Sequence, residues 1–243
     1  MPGLSPLKIL SKSSINRRYK KAGNHPLYKL YRQILLMNNE LKEEIQSVLN
    51  READAIRSIP VTGDYSKVIE LIHRRVHQKG GKIIASGMGK AGHVANHMAT
   101  TFSSTGTPAL FIHPSEAQHG DLGIIRENDV LLVLSNSGKT REILELVTLT
   151  HLLHKDIPVV IITGNPDGPL VMESSHVLFT GNPKEVCPLG LTPTTSATAM
   201  AVIGDVLVVL LMNRIRFTPA DYARRHHGGY LGEKSRESLD ENK

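Results

Sequence analysis

Short, almost wholly apolar runs separated by helix-length segments constrain this chain more than any other feature. Lys82-Ile83-Ile84-Ala85-Ser86, Ala109–Ile112, Val130–Leu134 and Val159–Ile162 share the pattern, and His176–Phe179 is a weaker fifth. A strand that is apolar on both faces must be covered on both faces. That is the condition of a parallel sheet whose crossover connections are helices. The expected fold is therefore α/β: a five-stranded parallel sheet sandwiched by helices, flavodoxin-like or Rossmann-like. In such sheets ligands bind at the carboxyl ends of the strands, near a change in strand order.

The flanking segments are helical by the same kind of reasoning. Apolar residues recur at roughly helical spacing over 27–58, including Leu30, Ile34, Leu41, Ile45, Val48, Leu49 and Ile56. A second helix is expected over 64–79, with Val68, Leu71, Ile72 and Val76 on one side and Gly80-Gly81 as the stop. Two amphipathic helices must bury their faces, on the same chain or on a partner subunit. Helical segments over 91–104 and 194–213 follow, the second long and apolar, and residues 217–243 are polar and glycine-containing. The expected organisation is a basic disordered tail (1–25), helices packed on the main domain (26–79), the sheet domain (80–215), and a C-terminal segment (216–243).

Composition narrows the function classes. The net charge is +6, but six of the 29 Lys and Arg lie within residues 1–25, which hold no acid. The other 23 basic residues meet 23 Asp and Glu, so the body is formally neutral and gives no argument for nucleic-acid binding. With no Trp and few aromatic residues, stacking platforms for single-stranded nucleic acid are not expected. The single cysteine, Cys187, allows no internal disulfide and fits a reducing, cytoplasmic setting. No signal peptide and no bilayer-length apolar stretch is expected, hence no membrane association.

Two loops carry the chemistry. Gly87-Met88-Gly89-Lys90-Ala91-Gly92 follows the first strand and opens a helix, with formal G-x-G-x-x-G spacing. The glycines let backbone N–H groups approach an anion at the helix start. A dinucleotide site would also place an acid at the end of the second strand. The sequence there is Phe111-Ile112-His113-Pro114, so a nicotinamide cofactor is not expected. Lys90 can reach a ligand oxygen. As a mere surface lysine it would put a cation against the positive end of the helix dipole.

The second loop follows Val130–Leu134: Ser135-Asn136-Ser137-Gly138-Lys139-Thr140-Arg141-Glu142. Hydroxyls of Ser135, Ser137 and Thr140, with the N–H groups of the following helix start, make an anion cradle suited to a phosphate. An N-cap alone would need one hydroxyl rather than three. The P-loop spacing is absent, so no Mg²⁺-dependent phosphoryl transfer is implied.

These two loops resemble the ligand loops of SIS (sugar isomerase) domains. Three further segments extend the resemblance to the isomerase domain of bacterial arabinose 5-phosphate isomerases over about residues 30–233. They are His113-Pro114-Ser115-Glu116-Ala117-Gln118-His119-Gly120-Asp121-Leu122-Gly123, Lys184-Glu185-Val186-Cys187-Pro188-Leu189-Gly190-Leu191-Thr192-Pro193-Thr194, and His226-His227-Gly228-Gly229. The resemblance implies an aldose–ketose isomerase interconverting ribulose 5-phosphate and arabinose 5-phosphate. It also implies a homotetramer with shared active sites, needing no cofactor and no metal. Other activities of such domains, on heptose or hexulose phosphates, and a non-catalytic sugar-phosphate sensor are the alternatives. Sensors of this kind carry an N-terminal helix-turn-helix, for which no three-helix pattern is present here.

Moving a proton between C1 and C2 through an enediol needs a base, a hydroxyl proton shuttle and charge stabilisation at the carbonyl oxygen. The resemblance carries Lys90, Glu142, Glu185 and His226 over as the catalytic set. Gly87, Gly89, Ser135, Asn136, Ser137, Thr140, His119 and Thr194 are carried over as substrate- or phosphate-binding residues. Each has an ordinary reading beside it: Glu142 as a dipole-complementing glutamate, Glu185 as a surface loop acid, His226 as a surface histidine. Among His93, His113, His119, His226 and His227 no pair has the i, i+4 spacing of a metal helix. Two departures from the family pattern stand out: Lys139 where glutamate is usual, and His227 where proline is common. Appended cystathionine-synthase-type regulatory modules are expected to be absent.

Overall fold

The computed structural model describes residues 39–228. The expected disordered tail, the part of the first helix over 27–38 and residues 229–243 of the C-terminal segment lie outside the described residues. The chain divides into two units, 1–50 and 51–243. Of the first, 39–50 are described and form the start of helix α1 (Asn39–Arg57), where Leu41, Ile45, Val48 and Leu49 are exposed.

The second unit is built on the expected sheet. Strands β1 (Ile83–Gly87), β2 (Ala109–Phe111), β3 (Val130–Leu134), β4 (Val159–Thr163) and β5 (His176–Phe179) are all parallel, in the order β2-β1-β3-β4-β5. The order reverses between β1 and β3, so the loops after these two neighbouring strands diverge and leave a crevice at the carboxyl edge. Every residue of β1, β3 and β4 is buried, which explains their unbroken apolar character.

Alternate residues of each strand face opposite sides, so the sheet has two cores. On one side Ile83, Ala85, Val130, Leu132, Leu134, Val160 and Ile162 pack with helix α2 (Asp64–Ile72), α3 (Gly89–Ser104) and α7 (Thr195–Arg214). On the other, Ile84, Leu131, Val133, Val159 and Ile161 pack with Ile143, Leu146 and Val147 of α5 (Arg141–Leu153). Each fully buried leucine or isoleucine contributes about 1.5–3 kcal/mol by leaving water. Asp129, just before β3, is almost fully buried but satisfied. It accepts from Lys82 N (2.9 Å), Lys82 Nζ (2.7 Å) and Arg126 N (2.8 Å), tying the starts of β1 and β3 together.

The helices follow the sequence reading with three differences. α2 continues as a π-helical turn over His73–Gln78, so 64–79 is not one uniform helix. Short helices α4 (Pro114–Ala117), α6 (Pro169–Met172) and α8 (Pro219–Ala223) each start on a proline, which suits a first turn, where no N–H partner is needed. The expectation that no stretch is long and apolar enough for a bilayer is corrected by α7. Within its 20 residues an 18-residue window has a mean hydropathy of 2.0, and half of that window is buried in the protein.

Candidate active site

The crevice at the carboxyl edge opens into a cavity of about 490 Å³, a size suited to a small ligand. Its walls come from the loops after four strands and from the start of α7. Met88, Lys90 and Ala91 follow β1, and Ser135, Asn136, Ser137 and Thr140 follow β3. Asn165 follows β4, Asn182 follows β5, and Pro193, Ser196, Ala197 and Met200 complete the wall.

The loop after β1 is shaped by glycine. A Cβ on Gly92 would stand 2.6 Å from the carbonyl oxygen of Gly87, so these two positions allow the helix to close on the strand. Gly89 has φ +56° with open space around it, a conformation that sends the chain into α3. Lys90 is then the second residue of α3, exposed at the cavity wall. No side chain caps α3.

The loop after β3 is shaped by hydroxyls. Ser135 is buried, and its Oγ lies 2.8 Å from Thr140 Oγ1. Ser137 Oγ accepts from Lys139 N at 3.2 Å, and Asn165 Nδ2 donates to Ser137 O at 2.8 Å, bracing the turn. Thr140 occupies the N-cap position of α5, yet its side chain makes no cap hydrogen bond. The capping explanation of these hydroxyls is thus not the one the geometry uses. An uncapped helix start beside a hydroxyl-lined cavity offers an anion both a dipole and hydrogen-bond donors. Asn136 Oδ1 is buried with no hydrogen-bond partner, an acceptor at the cavity wall.

A second cavity of about 750 Å³ adjoins the first, sharing Asn136, Asn182, Pro193 and Ser196, and is lined also by Arg51, Lys184, Glu185 and Cys187. Glu185 sits across the start of α7 as a remote cap. Its carboxylate accepts from Thr194 N (2.7 Å), Thr194 Oγ1 (2.9 Å), Ser196 N (3.3 Å) and Ser196 Oγ (2.5 Å). Burial alone would raise its pKa. The hydrogen bonds from Ser196 and Thr194 outweigh it and hold the carboxyl below its ordinary value, so the group is ionised at neutral pH. Thr194 thereby serves Glu185. The nearby Cys187 thiol is pulled down to about 7 by the Thr192 hydroxyl and by the N–H groups of Thr192, Leu189 and Leu191.

Six sequence-derived candidates line neither cavity within this chain: Gly87, Gly89 and Thr194, placed above, and Glu142, His119 and His226. Glu142 is half-buried in the first turn of α5, behind the cradle. His119 is exposed after α4, its N–H donating to Glu116 O at 2.8 Å. His226 lies beyond α7, which starts at the cavity and runs about 30 Å along the sheet. Beyond it the Phe217 ring lies against Gly106, at the far end of α3 from Lys90. His226 stacks on Tyr222 (3.7 Å between ring centres) and its Nδ1–H donates to Tyr222 O at 3.1 Å.

The sequence reading did not single out Asn165, Asn182 or Ser196. Asn182 sits at φ +50°, in the left-handed region that asparagine tolerates. Each stands just past a strand end or at a helix start, and that placement is the signal available from sequence. Two histidine pairs do have i, i+4 spacing: His73/His77, neither of which was weighed above, and His93/His97, of which only His93 was. The His73 and His77 rings stack at 5.9 Å, and among the described residues no group of three or more His, Cys, Asp or Glu could hold a metal ion.

The model of the SIS domain matches residues 76–210, which is the sheet from just before β1 through most of α7. The chain belongs to the SIS domain family. Its relatives include arabinose 5-phosphate isomerase KdsD of Escherichia coli K12, 47% identical over 154 residues, which are 63% of this chain and 46% of that protein. The Francisella tularensis KdsD is 45% identical over 171 residues, 70% of this chain and 51% of that one. The chain thus spans about half the length of the curated relatives it matches. A solved Bacteroides fragilis structure, provisionally named a phosphosugar isomerase involved in capsule formation, is 59% identical with a TM-score of 0.77. It covers 78% of this chain, and 99% of that one is matched. A protein of E. coli CFT073, solved in complex with arabinose 5-phosphate, is 30% identical with a TM-score of 0.72, matched over 79% of this chain and all of that one.

Proposed function

We propose that this protein is an aldose–ketose isomerase that interconverts D-ribulose 5-phosphate and D-arabinose 5-phosphate through an enediol intermediate. The observation that carries the reading is the uncapped, hydroxyl-lined start of α5, which opens into the same cavity as Lys90 and adjoins the ionised Glu185. The resemblance to KdsD proteins and to the E. coli CFT073 complex supports that substrate.

In this reading the phosphate docks on Ser135, Ser137 and Thr140 and on the N–H groups of the α5 start, and its binding energy positions C1 and C2. Glu185 takes the carbon-bound proton. A carboxylate of lowered pKa is a weak base, so the developing enediolate needs strong electrostatic support, which Lys90 supplies. Asn136 accepts from a sugar hydroxyl. Gly87 and Gly89 shape the loop that presents Lys90, and Thr194 holds the Glu185 carboxylate. His226, remote from the cavity of its own chain, serves a neighbouring copy in a homotetramer as proton shuttle, with Glu142 and His119 at the same composite site. The exposed apolar Val206, Val209 and Leu210 of α7 offer a face for such assembly. We place the enzyme in the cytoplasm, supplying a precursor of lipopolysaccharide or capsule; the capsule-related neighbour supports this.

The test is proton NMR of the purified chain with ribulose 5-phosphate in deuterated buffer without added metal. Arabinose 5-phosphate carrying deuterium at C2 is the expected product. Saturable binding without conversion would replace this reading with a sensor or another substrate.

A further inference from the structure

Glu185 is held from two directions, and only one of them is local. Its carboxylate is fixed by Thr194 and Ser196, as described. Its backbone is fixed by two consecutive residues of α1, far away in sequence. Arg51 Nη2 donates to Glu185 O at 2.7 Å. Glu52 Oε1 accepts from Thr195 Oγ1 at 2.9 Å, and the same Oγ1 accepts from Val186 N at 3.0 Å. The single peptide group joining Glu185 to Val186 is therefore gripped at its carbonyl by Arg51 and at its N–H through Thr195.

The polarity of that relay depends on Glu52. A carboxylate can only accept, so the one hydrogen of the Thr195 hydroxyl points at Glu52 and a lone pair is left for the Val186 N–H. The arrangement is costly: the second oxygen, Glu52 Oε2, is buried with no hydrogen-bond partner. The start of α7, with its positive dipole end, offsets part of that cost. An ordinary helix contact needs no such group.

We propose that Arg51 and Glu52 are positioning residues for Glu185. They fix the peptide from which the carboxylate projects, and so set the rate of the proton transfer rather than the affinity for the phosphate. The inference rests on the reading of Glu185 as the base. A misplacement of about 1 Å can cost on the order of a hundredfold in rate, so a relaxed peptide lowers kcat while the cradle after β3 is untouched.

The test uses the full chain. E52L, which removes the acceptor, E52Q, which keeps it, R51A and E185Q are compared for kcat and KM with ribulose 5-phosphate, for binding of inorganic phosphate, and for melting temperature. The expected result is a kcat about tenfold or more below wild type in E52L and R51A, with KM within about twofold and phosphate binding unchanged, and recovery to within about threefold in E52Q. Wild-type kcat in E52L and R51A alongside an inactive E185Q overturns the positioning role alone. A rise in KM matching the loss of kcat, or no recovery in E52Q, also overturns it. Wild-type turnover in E185Q overturns the reading of Glu185 and this inference with it. If E52L does not fold, the exposed Arg51 carries the same comparison through R51A.

Discussion

The loops after β1 and β3 leave neighbouring strands, open into one cavity and end on helices that no side chain caps. They reach the same end by opposite chemistry. The first is made of glycines, two of which let the chain pack on itself, and it delivers a full positive charge on Lys90. The second is made of hydroxyls that bond one another and deliver dipoles. A mobile point charge suits an oxygen whose charge grows during reaction, and fixed dipoles suit a phosphate whose charge does not change. On the proposed function, the difference gives turnover to the first loop and holding to the second.

Lys90→Met is the sharpest way to break that division. It should lower kcat about 100- to 1000-fold, the usual loss when one transition-state donor is removed, with KM changed only a few-fold; an equal effect on KM would merge the two roles. Thr140→Val tests the other side. A hydrogen bond to a charged group contributes about 1.5–3 kcal/mol, so KM should rise about tenfold or more with kcat kept, as measured by steady-state kinetics.

The glycines separate packing from ligand contact. Gly92→Ala forces a Cβ onto the Gly87 carbonyl and should destabilise the fold by about 1–3 kcal/mol in denaturant unfolding. Gly89→Ala meets no neighbour and carries only the cost of its positive φ, about 1–2 kcal/mol. A larger loss at Gly89 than at Gly92 would mean that the first loop is limited by backbone conformation rather than by close approach.

The third helix start at the cleft, that of α7, extends the comparison because a carboxylate does cap it. The pKa of Glu185 is lowered from 4.5 by folding, so its contribution is present above the unfolded pKa and is lost as pH falls through the lower folded value. The stability gap between wild type and Glu185→Gln should therefore close on acidification below about 4.5. A gap independent of pH would show that the cap does not depend on charge. The smallest effect is a chemical one. Alkylation of Cys187 should rise in rate as pH passes about 7, since the thiolate is the nucleophile, and bound substrate should slow it because Cys187 shares a cavity wall with Glu185. Reaction only above about pH 8.5, the range of an ordinary thiol, would remove the loop's influence on the group.

What the sequence by itself determined is local. Strand placement followed from continuous apolar runs, since burial on both faces leaves that mark on each strand separately. Lys90, Ser135, Asn136, Ser137 and Thr140 were legible because strand, small-residue loop and helix start are adjacent in the chain. The tertiary structure decided the pairings that span long loops. It brought Asn165 and Asn182 to the cavity and tied Glu185 to the start of α7 and to Arg51 and Glu52. It also carried His226 to the far end of α7 from the cavity. Periodicity records which face of an element is buried, but not which element covers it. Those juxtapositions come from crossover topology and from many weak packing contacts summed over the whole domain.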